Sequence, residues 1–181
     1  MEQPSARNKW GIRILIAALA MITLVCAGIT VYLLNRDDQT AAPAYAPQQI
    51  DDNARELDNS GDEEKLEAQE GGGSVSLTYS ASVTVDLAQE KVSVFVENPE
   101  RSTQDLIIQV LLKESENEEK VIAQSELIPA GYGIDEVDLQ EDGLAKGEYD
   151  GVIRISYYNP DDGEKAVVNT DIPVTVNVTD K

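Results

Sequence analysis

Carboxylates are the chemically active side chains this 181-residue chain holds in quantity: 34 Asp and Glu stand against 14 Lys and Arg, with no histidine and one cysteine. Acids spaced closely in loops are the raw material of calcium sites. Two groups qualify, Asp161 and Asp162 within NPDDGE, and Asp135, Glu136, Asp138, Glu141 and Asp142 upstream of it. Neither has the alternating spacing with which an EF-hand loop collects oxygen ligands around the ion. Asp-Gly in a hairpin is first of all a turn former. The expectation is therefore no metal site and no cofactor, with these acids placed on turns and outward strand positions.

Catalysis has little else to use. Without histidine the Ser-His and Cys-His nucleophile pairs are unavailable, and a carboxylate pair would need a pocket able to shift a pKa. The GGG at 71–73 follows an acidic segment and precedes a strand, which is the wrong context for a phosphate loop. A non-enzymatic protein is expected, with no catalytic residues.

The one thiol, Cys26, sits in ITLVCAGITVYLLNRDD. A lipoprotein signal needs a small residue just before the modified cysteine, and here that residue is Val25. A secretory cleavage site could use Val25 with Ala27, or Ala42 with Ala44, but the first cuts inside the apolar run and the second lies about ten residues past it. Residues 14–34 are free of charge, and at ~1.5 Å per residue they span ~31 Å, the hydrocarbon thickness of a bilayer. Trp10 and Tyr32 fall near its ends, at headgroup level. Cys26 thus reads as an apolar bystander in an uncleaved signal anchor, beside a stripe of small residues, Ala20, Thr23, Ala27 and Thr30, which reads as lipid-facing.

Charge sets the orientation. Residues 1–34 carry three basic side chains and one acid, residues 35–72 three and eleven, and residues 73–181 eight and twenty-two, for a net charge of −20. Basic flanks stay in the cytoplasm. The reading is a cytoplasmic tail over 1–13, a membrane anchor over 14–34 in the plasma membrane, and an extracellular remainder whose acidity repels nucleic acid.

Residues 35–73 are rich in Pro, Gly, Gln and acid and poor in β-branched and aromatic residues, so they read as a disordered acidic linker. Residues 74–181 read as one β-domain. Val75, Leu77, Tyr79, Ala81, Val83, Val85 and Leu87 alternate with polar residues, and Val92 to Val96, Leu106 to Leu112, VIAQS, Ile134 to Leu139, Tyr149 to Tyr158 and Ala166 to Val178 continue the pattern between polar turns. About seven short strands and no helix-period segment predict an antiparallel sandwich. One cysteine allows no disulfide within the chain, so an apolar core must hold it.

Leu144, Gly147 and Tyr149, in LAKGEY before a strand, resemble the tyrosine corner of immunoglobulin-like sandwiches, where a Tyr hydroxyl bonds back to upstream backbone. The Cys pair and strand Trp of antibody domains are absent. With the anchor, the acidic linker and SELIPAGYGIDEVDL, the layout resembles small signal-anchored surface proteins of Gram-positive bacteria. That resemblance implies an immunoglobulin-like fold and a surface address, and modules of this kind mostly bind or space.

Strand phase gives a candidate partner surface. If Ile153, Ile155 and the even residues of 106–112 face the core, then Ile107, Leu111, Val152 and Tyr158 face outward, and so does Val167 if Ile172, Val174 and Val176 point in. On neighbouring strands they would form an apolar patch for another membrane or envelope protein or for self-association. Alternatively β-branched residues are simply favoured there, under the stems of Lys113 and Arg154. The function expected is a membrane-anchored cell-surface protein whose domain binds proteins or mediates adhesion. The alternative is a structural spacer or accessory subunit of an envelope complex with no ligand of its own.

Overall fold

The computed structural model describes residues 6–35, 41–58, 64–68, 72–115 and 118–180. The chain divides into two compact units, Met1–Gln39 and Thr40–Lys181.

In the first unit α1 spans Ala6–Asn35. Its Leu, Ile, Ala and Met content favours helix, and no proline interrupts it. The Thr23 and Thr30 hydroxyls each donate to the carbonyl four residues back, Leu19 and Cys26, both at 2.8 Å. Two polar groups that would otherwise lack partners on an apolar surface are thereby satisfied. Every described side chain of α1, Cys26 included, is exposed. Among the described residues no helix is long and apolar enough to cross a membrane. Trp10, Tyr32 and the side chains at 28, 29, 31, 33 and 34 of the expected span lie outside the described residues, as do Asp37 and Asp38.

The second unit is all-β. Its strands are β1 (Ala54–Glu56), β2 (Thr78–Tyr79), β3 (Ser82–Asp86), β4 (Lys91–Asn98), β5 (Asp105–Ser115), β6 (Glu118–Gln124), β7 (Tyr132–Asp138), β8 (Gly147–Tyr158) and β9 (Lys165–Thr179). They join in one path, β1-β7-β4-β3-β9-β8-β5-β6, with β2 on β4. All pairings are antiparallel except β3 with β9. The sheet curls until β6 approaches β7 again: Ala123 bridges Leu139, and Gln140 N–H donates to the Ile122 carbonyl at 2.8 Å.

Inside the curl lie Val83, Val85, Val92, Val94, Val96, Ile134 and Val137 from one half, against Leu106, Ile108, Val110, Ile153, Ile155, Ile172, Val174 and Val176 from the other. Apart from Ile134 and Val137, three residues apart on β7, these are the inward positions that alternation predicts. Burying each such side chain contributes about 1.5–3 kcal/mol before the chain entropy is subtracted.

Two expectations need correction. The alternation over 75–87 is not one strand: Thr78 and Tyr79 pair with β4, Ser80 N–H donates to Phe95 O at 2.9 Å, and from Ser82 the chain also pairs with β9 while Thr84 to Asp86 remain on β4. The described stretches of residues 35–73 are not a disordered linker either. Residues 41–57 form a strap on the β unit, in which Tyr45 bridges Glu164, Ile50 bridges Leu127, and β1 pairs with β7. Composition misleads here because the order comes from backbone hydrogen bonds to loops: Ala46 N–H to Gly163 O at 2.8 Å, Asp51 N–H to Leu127 O at 2.9 Å and Leu57 N–H to Gly131 O at 2.9 Å. Further on, Leu66 N–H donates to Arg101 O at 2.8 Å.

Gly151 sits at a tight point of the core. A Cβ there would lie 2.7 Å from the Leu111 carbonyl oxygen and 2.7 Å from Val176 Cγ2, and the first is backbone that cannot swing away. Gly151→Ala should therefore destabilise the β unit by about 1–3 kcal/mol, the scale of overpacking. Thermal unfolding of the full-length protein in detergent, followed by circular dichroism, measures it. An unchanged melting temperature would mean that the β5–β8–β9 spacing is softer than it looks.

Candidate functional site

Four of the five candidate surface residues are buried: Ile107, Leu111 and Tyr158 at 0% and Val152 at 4% exposure. Their phase is as read, away from the main core, but the outer face of β5 and β8 is covered. Ile107 and Tyr158 pack with Ala42 and Ala46 of the strap, and the Tyr158 hydroxyl donates to Pro43 O at 2.8 Å. Burial pushes the Tyr158 phenol up to about 12. Arg154 forms the second cover. Its guanidinium meets Asp171 on β9 with two bonds, Nε–Oδ1 at 2.9 Å and Nη2–Oδ2 at 2.8 Å, and Glu119 on β6 at 2.9 Å. Because β5 lies between β8 and β6, the arginine side chain must cross β5 on its outer face to reach Glu119. The hydrogen bonds with Arg154 hold the Asp171 carboxyl below the usual range.

Val167 alone of the five is exposed, at 103%, with Val168 beside it at 67%. The cause is a bulge. Ser156 pairs with Asn169 and Tyr158 with Lys165, so three residues of β9 stand against Tyr157 alone. Below the bulge β9 pairs with β8 throughout, whereas β3 covers its other side only from Thr175 to Thr179. Among the described residues nothing pairs with that side of β9 over residues 169–174.

At the opposite end of β8 the Tyr149 hydroxyl donates to the Ala145 carbonyl at 2.9 Å, and Tyr149 and Leu144 pack against the core. Gly147 opens the strand, and its Cα lies where a Cβ would stand 3.6 Å from the Tyr149 ring.

Of the acids considered for calcium, the carboxylates of Asp162, Asp135, Glu136, Asp138 and Glu141 are engaged in a turn or in ion pairs, and Asp161 joins the turn through its N–H. Asp162 Oδ1 accepts Glu164 N–H at 2.9 Å, and Asn159 Oδ1 accepts Asp161 N–H at 3.0 Å. Asp135 pairs with Arg55 at 2.8 Å, Glu136 and Asp138 with Lys91, and Glu141 with Lys120 at 2.8 Å. Among the described residues no three His, Cys, Asp or Glu side chains converge to hold a metal ion.

One concavity escaped the sequence reading, because loops far apart in the chain build it. An open groove of about 430 Å³ is lined by Lys65, Ser102, Thr103, Asp105, Pro129, Ala130 and Pro160. Asp105 Oδ1 accepts Ala130 N–H at 3.2 Å, and Lys65 donates to Ser102 O at 3.0 Å. Burial raises the Asp105 carboxyl, against the opposing pull of the Ala130 bond and Lys65.

No family model matches the chain, and no curated protein matches it. Among solved structures it is similar to AggA, the major subunit of aggregative adherence fimbriae type I from Escherichia coli, at 12% identity, over 65% of this chain and 100% of that one, with a TM-score of 0.31.

The two perturbed carboxylates should respond to pH with opposite signs. Asp105, raised in the fold, contributes stability below its unfolded pKa and loses it as pH rises through the native value. Asp105→Asn, which keeps the Oδ1 acceptor, should melt higher than the parent at neutral pH. Asp171, lowered in the fold, contributes above its unfolded pKa and loses that as pH falls through the native value. Asp171→Asn should melt lower. The Asp105 difference should fade at about pH 3, below the ordinary carboxylate range, while the Asp171 difference should persist there and fade only as pH falls through its lowered native value. Melting curves at both pH values check the signs.

Proposed function

We propose that the chain is a single-pass cell-surface protein: residues 14–34 anchor it in the plasma membrane with the N-terminus inside, and the β unit works outside as a non-catalytic protein-binding or adhesion module. The observation that carries the binding role is the edge of β9, where backbone and the exposed Val167 and Val168 meet solvent while the rest of the outer apolar face is covered. Strand order supports an immunoglobulin-like sandwich. With β3 to β9 taken as strands A, B, C, C′, E, F and G, the path β7-β4-β3-β9-β8-β5-β6 reads E-B-A-G-F-C-C′, and the Tyr149–Ala145 bond stands at the start of F. The lack of histidine in the sequence leaves the catalytic alternative without its usual general base.

Support for the anchor comes from the charge-free run, the basic residues before it and a helix apolar on all its described sides. Such a helix needs an apolar surrounding.

Protease added to intact cells of the source organism should degrade the β unit and leave a membrane-retained fragment that still carries the N-terminus. Proximity crosslinking from a photoreactive residue at Val167 should then capture a protein neighbour. A β unit fully protected in intact cells overturns the address. A diacylglyceryl group on Cys26, found by mass spectrometry, overturns the anchor. A surface-exposed unit that crosslinks to no protein favours the spacer.

A further inference from the structure

We propose that the open edge of β9 receives an extended, positively charged segment of a partner protein as an added strand; this rests on the binding-module reading and names its partner class. Thr179 fixes the phase of the edge. Its carbonyl accepts Leu87 N–H at 2.9 Å, so odd-numbered residues of β9 turn their backbone groups toward the β3 side. Pro173 agrees, because a residue without an N–H is tolerated where that group would point away from the ladder with β8. The N–H and C=O of Asn169 and Asp171, and the C=O of Pro173, therefore face outward where β3 no longer runs.

The other edges are blunted. β1 has three residues and bears Arg55 and Glu56, β2 has two, and the end of β6 is closed onto Leu139 and Gln140. The far side of β7 past Ile134 bears Asp135, Glu136 and Asp138, and the start of β6 bears Glu118, Glu119 and Lys120, charged side chains that discourage pairing there, whereas the stretch of β9 over residues 169–174 offers a template for strand addition. The bulge above it adds an apolar contact, since Val167 and Val168 gain nothing from the fold while exposed.

Charge selects the occupant. Asp171 stands beside the edge on the outer face with its side chain 47% exposed, Glu148 and Asp150 lie exposed on that face of β8, and Asp161, Asp162 and Glu164 crowd the β8–β9 turn. Half-buried Lys165 offsets one of them, and Arg154 and Lys113 oppose Asp171, so the acids outnumber the bases around the edge without Asp171 being free. Arg55, Lys91, Lys120, Lys146 and Arg154 are each committed to ion pairs. A second copy would bring the same acids against these, whereas an extended segment alternating Lys or Arg with β-branched residues meets the net acidic outer side and the rims of Ile172 and Val174 on the inner.

The test uses full-length protein in detergent micelles and three synthetic probes: a peptide alternating Lys and Val, its Glu and Val counterpart, and the Lys and Val sequence with proline at alternate positions. The first should bind, weaken as salt rises, and slow hydrogen exchange at the Asn169 and Asp171 amides. The other two should not. Asn169→Pro removes an outward N–H as Pro173 already does, and Val167→Lys, which leaves the ladder intact, places a like charge at the bulge. Each should weaken the first peptide about tenfold, the scale of losing a backbone bond or meeting a repulsive charge. Binding of neither charged peptide, or binding untouched by both variants, overturns the edge while leaving a crosslinked partner elsewhere to support the binding module. A dimer in sedimentation that both variants dissolve shows a second copy as occupant and overturns the cationic segment.

Discussion

Ser82–Asp86 of β3 run parallel to residues 175–179 of β9, and through that seam the two halves of the curled sheet share one ladder and one core. Val83 faces Val176 and Val85 faces Val178, all four buried. Without the seam the β7-β4 half and the β9-β8-β5-β6 half would be separate sheets with extra unpaired edges, each a liability. The seam is short because the chain enters it late. The chain runs along β4 from Thr78 onward and gains β9 on its other side only at Ser82, opposite Thr175, below Pro173. The open stretch of β9 is thus a geometric consequence of how the two halves are joined.

The opposite side of the molecule is settled by the strap. Residues 106–112 of β5 are buried on both faces, unusual for a sheet that would otherwise face water on one side. Asp51 pins the cover. At 7% exposure its carboxylate would be costly if unpartnered, but it accepts N–H groups from Asn53 at 2.9 Å and Glu126 at 2.8 Å. Each bond to a charged acceptor contributes roughly 1.5–3 kcal/mol. The Arg154 clamp does the same for the middle of the face with a bidentate pair, a geometry stronger than a scattered surface contact.

Period-two alternation made the all-β character and the inward residues of β3, β4, β5, β8 and β9 legible, because burial against one core writes itself into every second position. Tyr149 was legible through its spacing to Leu144 and Gly147. The fate of Ile107, Leu111, Val152 and Tyr158 was not. Phase says which way a side chain points and nothing about what lies over it, and the covering strap, rich in Pro, Ala and Gln, has no periodicity of its own. Its order is held by backbone donors whose partners sit more than 70 residues away, as Asp51 and Leu127 do. The break at Ser80 and Ala81 was hidden for a related reason: the alternation continues across it, since β2 and β3 both lie along β4 and bury toward the same interior. Val167 kept its exposure because a bulge, which the sequence does not announce, lifts it off the sheet.

The acidity of the unit and its open edge belong to one argument. Surface ion pairs such as Lys120–Glu141 contribute only about 0–1 kcal/mol each, so the arrangement of charges does little for stability. It does govern encounters. An uncharged domain with an unpaired strand edge and two exposed valines would add copies of itself edge to edge, as strands in aggregates do. Here every copy carries the same acids around that edge, and repulsion over a Debye length of about 8 Å at physiological salt discourages the self-pairing that backbone chemistry would permit. The same field leaves the edge usable by a segment of opposite charge. An open edge can therefore persist on this domain without charged guard residues pointing across it, and its accessibility depends on ionic strength as much as on shape.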